Sequence, residues 1–276
     1  MAGVSGAFLL LPFQMSVLGF VTPAVTPTNQ VYNITATPSG IYRYLREGRL
    51  VWPLAFAVII GTVPGVVVGG YLRITVLSDP ALFKAFVGFV LLYVAWRTFQ
   101  NMIQTRKAAA GLGPQSTSEH TDWHAETTLF TWKRFTFRFQ GKEHSCSTLG
   151  IAAFSLLVGI VGGAYGIGGA ALISPVFVSL YGLPIHAVAG ATLTGTFSAA
   201  IVSVLFFQLA APHLTAAAVA VAPDWRLGAL FGLGGIIGMY LGARTQRFVP
   251  SFWLKLMLGV IVLVVAARYI TGFLLK

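Results

Sequence analysis

The chain has 276 residues, of which 56% are hydrophobic and only 9% charged, and its mean hydropathy is +0.80. Soluble domains carry about 25% charged residues, so this composition excludes an ordinary water-soluble domain and points to a polytopic membrane protein. The net charge of +11 does not signal nucleic acid, because the cations sit at the ends of apolar runs (Arg43, Arg46 and Arg49, or Arg244 and Arg247) with no basic face or aromatic module beside them.

In chain order, apolar runs cover residues 3–21, 26–45, 51–72, 81–100, 148–180, 184–211, 225–245 and 252–275. About eight such segments predict an all-α architecture, since the bilayer interior forces each span to satisfy its own backbone hydrogen bonds. A β-barrel would need short stretches of alternating polarity, and these runs are continuous. The first cation is Arg43, so the charged start of a secretory signal is not expected.

The soluble-looking stretch lies between Asn101 and Cys146, which holds ten of the chain's Lys, Arg, Asp and Glu residues. Its Gly111–Ser118 portion is linker-like. Further on, Phe135, Phe137 and Phe139 alternate with Thr136 and Arg138, the period of a strand. A small β-hairpin on the membrane surface is expected over 128–139. The single cysteine, Cys146, excludes an internal disulfide and reads as an inert thiol.

The run 148–180 is longer than one crossing requires and contains Gly162-Gly-Ala-Tyr-Gly-Ile-Gly-Gly169. Glycine at this density disfavours a straight helix, so a half-helix, a break and a second half-helix from about Ala170 are expected. The bland alternative is close helix packing on small residues.

A self-match organises the whole. Gly3-Val-Ser-Gly-Ala-Phe-Leu-Leu-Leu-Pro12 lies over Gly166-Ile-Gly-Gly-Ala-Ala-Leu-Ile-Ser-Pro175, and the ladder Gly61, Gly65, Gly69 lies over Gly234, Gly238, Gly242. Tandem duplication is common among secondary transporters. Asn29 and Asn33 overlie Thr192 and Thr196, each pair spaced to share one helix face. Polar groups inside apolar helices need a partner or a cavity, so the two faces suggest one shared site; interhelical glue is the alternative. The first copy starts directly on its glycine break, without the counterpart of 148–164, and a missing or misassigned start is the expectation.

The chemistry of enzymes is not legible here. No His-Glu-x-x-His pair, phosphate-cradling Gly-x4-Gly-Lys loop or mid-segment histidine or carboxylate pair occurs, so neither a metal nor a cofactor is expected. Amides, hydroxyls, glycine N–H groups and half-helix N-termini suit an anion better than a cation.

Gly166–Pro175, then Ala189-Gly-Ala-Thr-Leu-Thr194, then Gly234-Gly-Ile-Ile-Gly-Met-Tyr-Leu-Gly-Ala-Arg244 resemble the second half of the TauE/SafE sulfite-exporter family, and 3–72 resembles its first half. The resemblance implies a multi-pass plasma-membrane permease exporting sulfite, sulfoacetate or a related small sulfur oxyanion. The chain departs from the family pattern in its long 101–146 insertion and in a first repeat richer in proline.

The resulting expectation is two repeats, 1–100 and 148–276, inverted relative to one another, around a central loop 101–147 on the cytoplasmic side. Ser5, Gly6, Asn29, Asn33, Gly166, Gly168, Gly169, Thr192 and Thr196 are the candidate binding residues, with the anion held by backbone N–H groups near 5–6 and 168–169. The partners are a small anion and the bilayer, without nucleic acid, and a homo-oligomer is compatible. The rival readings are a membrane assembly or sensor module docking through 101–147, and an anion channel.

Overall fold

The computed structural model describes residues 6–111, 125–131, 134–139, 142–181, 183, 185–214, 220–245 and 251–274. Among them the chain forms α1 (Ala7–Ser16), α2 (Val25–Arg46), α3 (Trp52–Thr75), α4 (Pro80–Gly111), α5 (Thr148–Tyr165), α6 (Ala170–Leu180), α7 (Ile185–Leu214), α8 (Trp225–Thr245) and α9 (Ser251–Leu274). Five stretches are long and apolar enough to cross a membrane: Trp52–Thr75, Pro80–Gln100, Thr148–Tyr165, Ala187–His213 and Leu256–Leu274. The chain is an all-α polytopic membrane protein.

The helix ends follow from local chemistry. Asp79 accepts the N–H groups of Ala81 and Leu82 at the head of α4, Ser147 accepts that of Gly150 at α5, and Asp224 accepts that of Leu227 at α8. Glu47, beyond the end of α2, pairs with Arg43 and Arg49. Asp79, Asp224 and Glu47 thus serve helix ends rather than the apolar interior.

Among the described residues of the run 3–21, only the ten-residue α1 is helical; Gly19 then turns the chain at positive φ. The expected hairpin is present as antiparallel β1 (Ala125–Phe130) and β2 (Arg134–Phe139), and β3 (Lys142–Ser147) extends it to a three-stranded sheet. The strand alternation holds, with Phe135 and Phe137 fully buried while Thr136 is half-exposed. β3 escaped notice because Lys142-Glu-His-Ser-Cys-Ser147 lacks an apolar alternation. In addition, α4 continues to Gly111, past the expected end at 100, so the central connection begins as helix. The linker-like stretch beyond Gly111 lies outside the described residues.

The chain divides into two compact bodies. The larger comprises 5–78 and 122–237 and therefore holds α1 to α3, the sheet, α5 to α7 and most of α8. Here α3 and α5 run parallel in close contact: a Cβ on Gly61, Gly65 or Gly69 would collide in turn with the carbonyls of Ala152, Leu156 and Ile160. Small residues permit that approach on both sides, since Gly159 and Gly163 face Thr62 and Val66. Gly234 and Gly238 of the matched ladder on α8 face open space, with no described atom within 4 Å of a Cβ there.

α5 and α6 form a hairpin that dips and returns. Phe154 packs on Phe177 with ring centroids 6.0 Å apart, and the Tyr181 hydroxyl lies 3.0 Å from a Cβ placed on Gly150. The start of α5 and the end of α6 therefore lie side by side. With 11 residues, α6 spans about 16 Å, half a bilayer's hydrocarbon thickness.

Neighbour pairs fix the other directions. Gly195 and Phe206 on α7 face Val58 and Gly70 on α3, so those helices are parallel. Gly40 faces Leu193 while Gly190 faces Tyr44, so α2 and α7 are antiparallel. Gly228 faces Val31 and Gly232 faces Thr35, which makes α8 parallel to α2. α1 runs antiparallel to α2, as α6 does to α7. Each matched pair (α1 and α6, α2 and α7, α3 and α8) thus runs in opposite directions, the relation an inverted repeat requires.

The smaller body comprises 79–121 and 238–276 together with 1–4. Within it α4 and α9 pack antiparallel, Gly88 against Tyr269 and Ile270, and Gly259 against Phe99.

Candidate functional site

α2 is the helix that needs explaining. Thr26, Asn29, Gln30, Asn33 and Thr37 fall on one stripe and are all buried. Such a stripe inside an apolar bundle is stable only where each group finds a partner. Thr26 Oγ1 donates to the Ala164 carbonyl and Thr37 Oγ1 to that of Asn33. Asn33 Nδ2 donates to Gln30 Oε1 at 2.9 Å.

Asn29 meets both breaks at once. Its Nδ2 donates to the carbonyl of Gly166, at 2.8 Å, and to that of Ala7, at 3.3 Å. Gly166 is the left-handed cap of α5, and Ala7 is the first residue of α1. The same junction carries a second tie, Tyr165 Oη to the Phe8 carbonyl at 3.3 Å, with the two rings 6.1 Å apart.

Glycine is required at two positions. Gly166 has φ +85°, and a Cβ there would lie 2.7 Å from the Thr26 carbonyl oxygen. A Cβ on Gly168 would overlap the Thr196 methyl and sit 2.9 Å from its hydroxyl. Beyond the break, Gly169 is the N-cap of α6, and Gly6 that of α1; a glycine has no side chain to accept the first N–H groups. Two half-helices thus start here without a capping side chain from the cap residue, each start the positive end of a helix dipole.

Of the candidate residues, Asn29 and Gly166 are brought into direct contact, and so are Gly168 and Thr196. Thr192 bonds instead to the Val188 and Ala189 carbonyls and lies 3.2 Å from Ser174 Oγ, an α6–α7 tie. The Gly166 N–H is committed to the Gly162 carbonyl, so this residue offers no free donor. Asn33 belongs with Gln30 rather than with either break. Gly6 sits under Tyr32, whose hydroxyl lies 2.6 Å from the place of its missing Cβ. Ser5 lies outside the described residues.

Several polar residues escaped the sequence reading. Gln30, Gln14, Ser174 and Thr62 are buried or half-buried near these elements. Gln30 and Gln14 overlie Leu193 and Phe177 in the repeat, so a search for matched polar pairs passes over them. The single-helix stripe of α2 would have found Gln30.

Outside the spans, Cys146 on β3 is buried, and that burial pushes its thiol up to about 11. It is a protonated, unreactive thiol at neutral pH.

Neither a curated protein nor a solved structure matches the chain. The family model of the sulfite exporter TauE/SafE matches residues 1–269. With a match over nearly the whole length of a multi-pass helical bundle, the chain belongs to the TauE/SafE sulfite exporter family.

Proposed function

We propose that this protein exports a small sulfur oxyanion or organosulfonate, such as sulfite or sulfoacetate, across the plasma membrane. The anion binds where the two glycine breaks meet, between repeats spanning 1–100 and 148–276. The observation that carries this reading is the Asn29 amide joining the Gly166 break to the start of α1, with both half-helices capped by glycines, Gly6 and Gly169, that supply no capping side chain. N–H groups at such termini converge on oxyanion oxygens without a fixed cation, which would bind too tightly for release. Thr196 places a hydroxyl beside Gly168 at the rim of the α6 start, whereas Thr62 turns its methyl towards Gly169 and donates its hydroxyl to the Val58 carbonyl.

Flux of labelled sulfite and sulfate in proteoliposomes tests the reading. Wild-type protein is expected to carry sulfite in preference to sulfate, and Thr196→Ala and Asn29→Ala to weaken it. If both variants insert and transport at wild-type rate and affinity, those side chains are packing elements and the pocket lies elsewhere.

A further inference from the structure

The Asn29 amide has one half that the fold uses and one half that it leaves over. Both partners of Nδ2 are backbone carbonyls, Ala7 and Gly166, and carbonyls accept only. The amide cannot be turned over without facing oxygen to oxygen, so Oδ1 is fixed on the other side. Asn29 is 0% exposed, and its Oδ1 has no hydrogen-bond partner within the protein. A buried acceptor in this state is disfavoured until a donor reaches it. Because nitrogen and oxygen share one small amide, Oδ1 sits at the same junction as the two glycine-capped N-termini.

That junction therefore presents several donors and one acceptor. A fully deprotonated oxyanion brings only lone pairs and would be repelled by Oδ1. A singly protonated one directs its O–H to Oδ1 and its oxygens to the N–H groups. Charge points the same way. Each helix N-terminus is equivalent to roughly half a positive charge, so two of them balance a monoanion and leave a dianion uncompensated.

Resting on the site proposed above, we infer that the transported species is the hydrogen-bearing monoanion, hydrogensulfite rather than sulfite, with its proton donated to Asn29 Oδ1. The titratable groups on the elements around Asn29 are Tyr32, Tyr42, Arg43, Tyr44 and Arg46 on α2, Tyr71 and Arg73 on α3, Tyr165 on α5, His186 and His213 on α7, and Arg226, Tyr240 and Arg244 on α8 with Asp224 just before it; α1 and α6 carry none. Tyrosine, aspartate and arginine as classes do not ordinarily titrate between about pH 6 and 8.5, which leaves the two histidines of α7, His186 and His213, as the groups to control for.

Calorimetric binding of sulfite to the purified full chain, in buffers of different ionisation heat, counts the protons taken up. Above the second ionisation of the ligand, at about pH 8.5, uptake is expected to approach one proton per bound anion and to fall towards zero at about pH 6. His186→Asn and His213→Asn should each leave this count unchanged; a count lost in either variant overturns the inference. Binding without proton uptake, or binding that requires sodium at Oδ1, also overturns it while leaving the site intact. If Gly168→Val binds as tightly as wild type, the site reading fails instead. Asn29→Ala is expected to bind the monoanion about tenfold more weakly; should it misfold, the proton count on wild-type protein still decides.

Discussion

Asn29 Nδ2 lies 2.8 Å from the Gly166 carbonyl oxygen, which places a side chain of the first repeat on the backbone break of the second. The link crosses 137 residues of sequence. It makes the two breaks one structure, because the same nitrogen also reaches Ala7. Moving either repeat against the other at this point must break or exchange these bonds, and that gives the substitutions below a common logic.

Gly168→Ala drives a methyl into the Thr196 side chain. Overpacking of this kind costs about 1–3 kcal/mol, and flux should fall with it. Thr196→Ser removes the colliding methyl, so the double variant Gly168→Ala/Thr196→Ser should regain part of the melting temperature and flux. Strict additivity in thermal melts would show that the two residues do not meet.

The two glycine ladders should respond oppositely. Gly65→Ala pushes its Cβ against the Leu156 carbonyl on α5, and backbone cannot swing aside. This variant should lose about 1–3 kcal/mol or fail to fold. Gly234→Ala meets nothing within 4 Å and gains helix propensity, so it should be neutral or stabilising by up to about 1 kcal/mol. A thermal-shift series along α3 and α8 checks the contrast.

Gln14 is fully buried on α1, and both its amide atoms lack partners within the protein. It lies two turns from Ala7 on the same helix face. Gln14→Leu should stabilise the fold by about 1–3 kcal/mol, read as a higher melting temperature, because a near-isosteric apolar side chain removes two unmet polar atoms. If the amide serves the anion's path, flux falls in the same variant. A lowered melting temperature would show that Gln14 is well satisfied.

Cys146 ties stability to alkaline pH. Its thiol is raised from an ordinary value near 9.0 to about 11 in the folded protein. A group raised on folding contributes fully below its unfolded value, so its share is lost as pH climbs from about 9 to about 11. Cys146→Ala should flatten the stability profile over that window, and native Cys146 should label slowly with maleimide near neutral pH. Exposed Ser145 is the better reporter of sidedness: Ser145→Cys in a Cys146→Ala background should label from the cytoplasmic face alone.

Much of the architecture was legible in one dimension. Composition and eight apolar runs determine a helical membrane protein, since only helices and closed barrels satisfy backbone polar groups in lipid and continuous apolar runs do not suit a barrel. The density of glycine in 162–169 determines the break at Gly166, and the duplicated motifs pair the helices. Even the strand at Phe135 and Phe137 is written in its alternation.

Contact between distant segments was not legible, because it depends on geometry that no local spacing encodes. Sequence pairs Asn29 with Thr192, yet the fold sends Asn29 to the two breaks and Thr192 to Ser174 on its own half. Only tertiary packing decides that Gly65 lies on α5 while Gly234 faces open space, although the two ladders read alike. The direction of the repeats likewise emerged from neighbour pairs. A helix and its reverse have the same apolar period, and only the partners it packs against distinguish them.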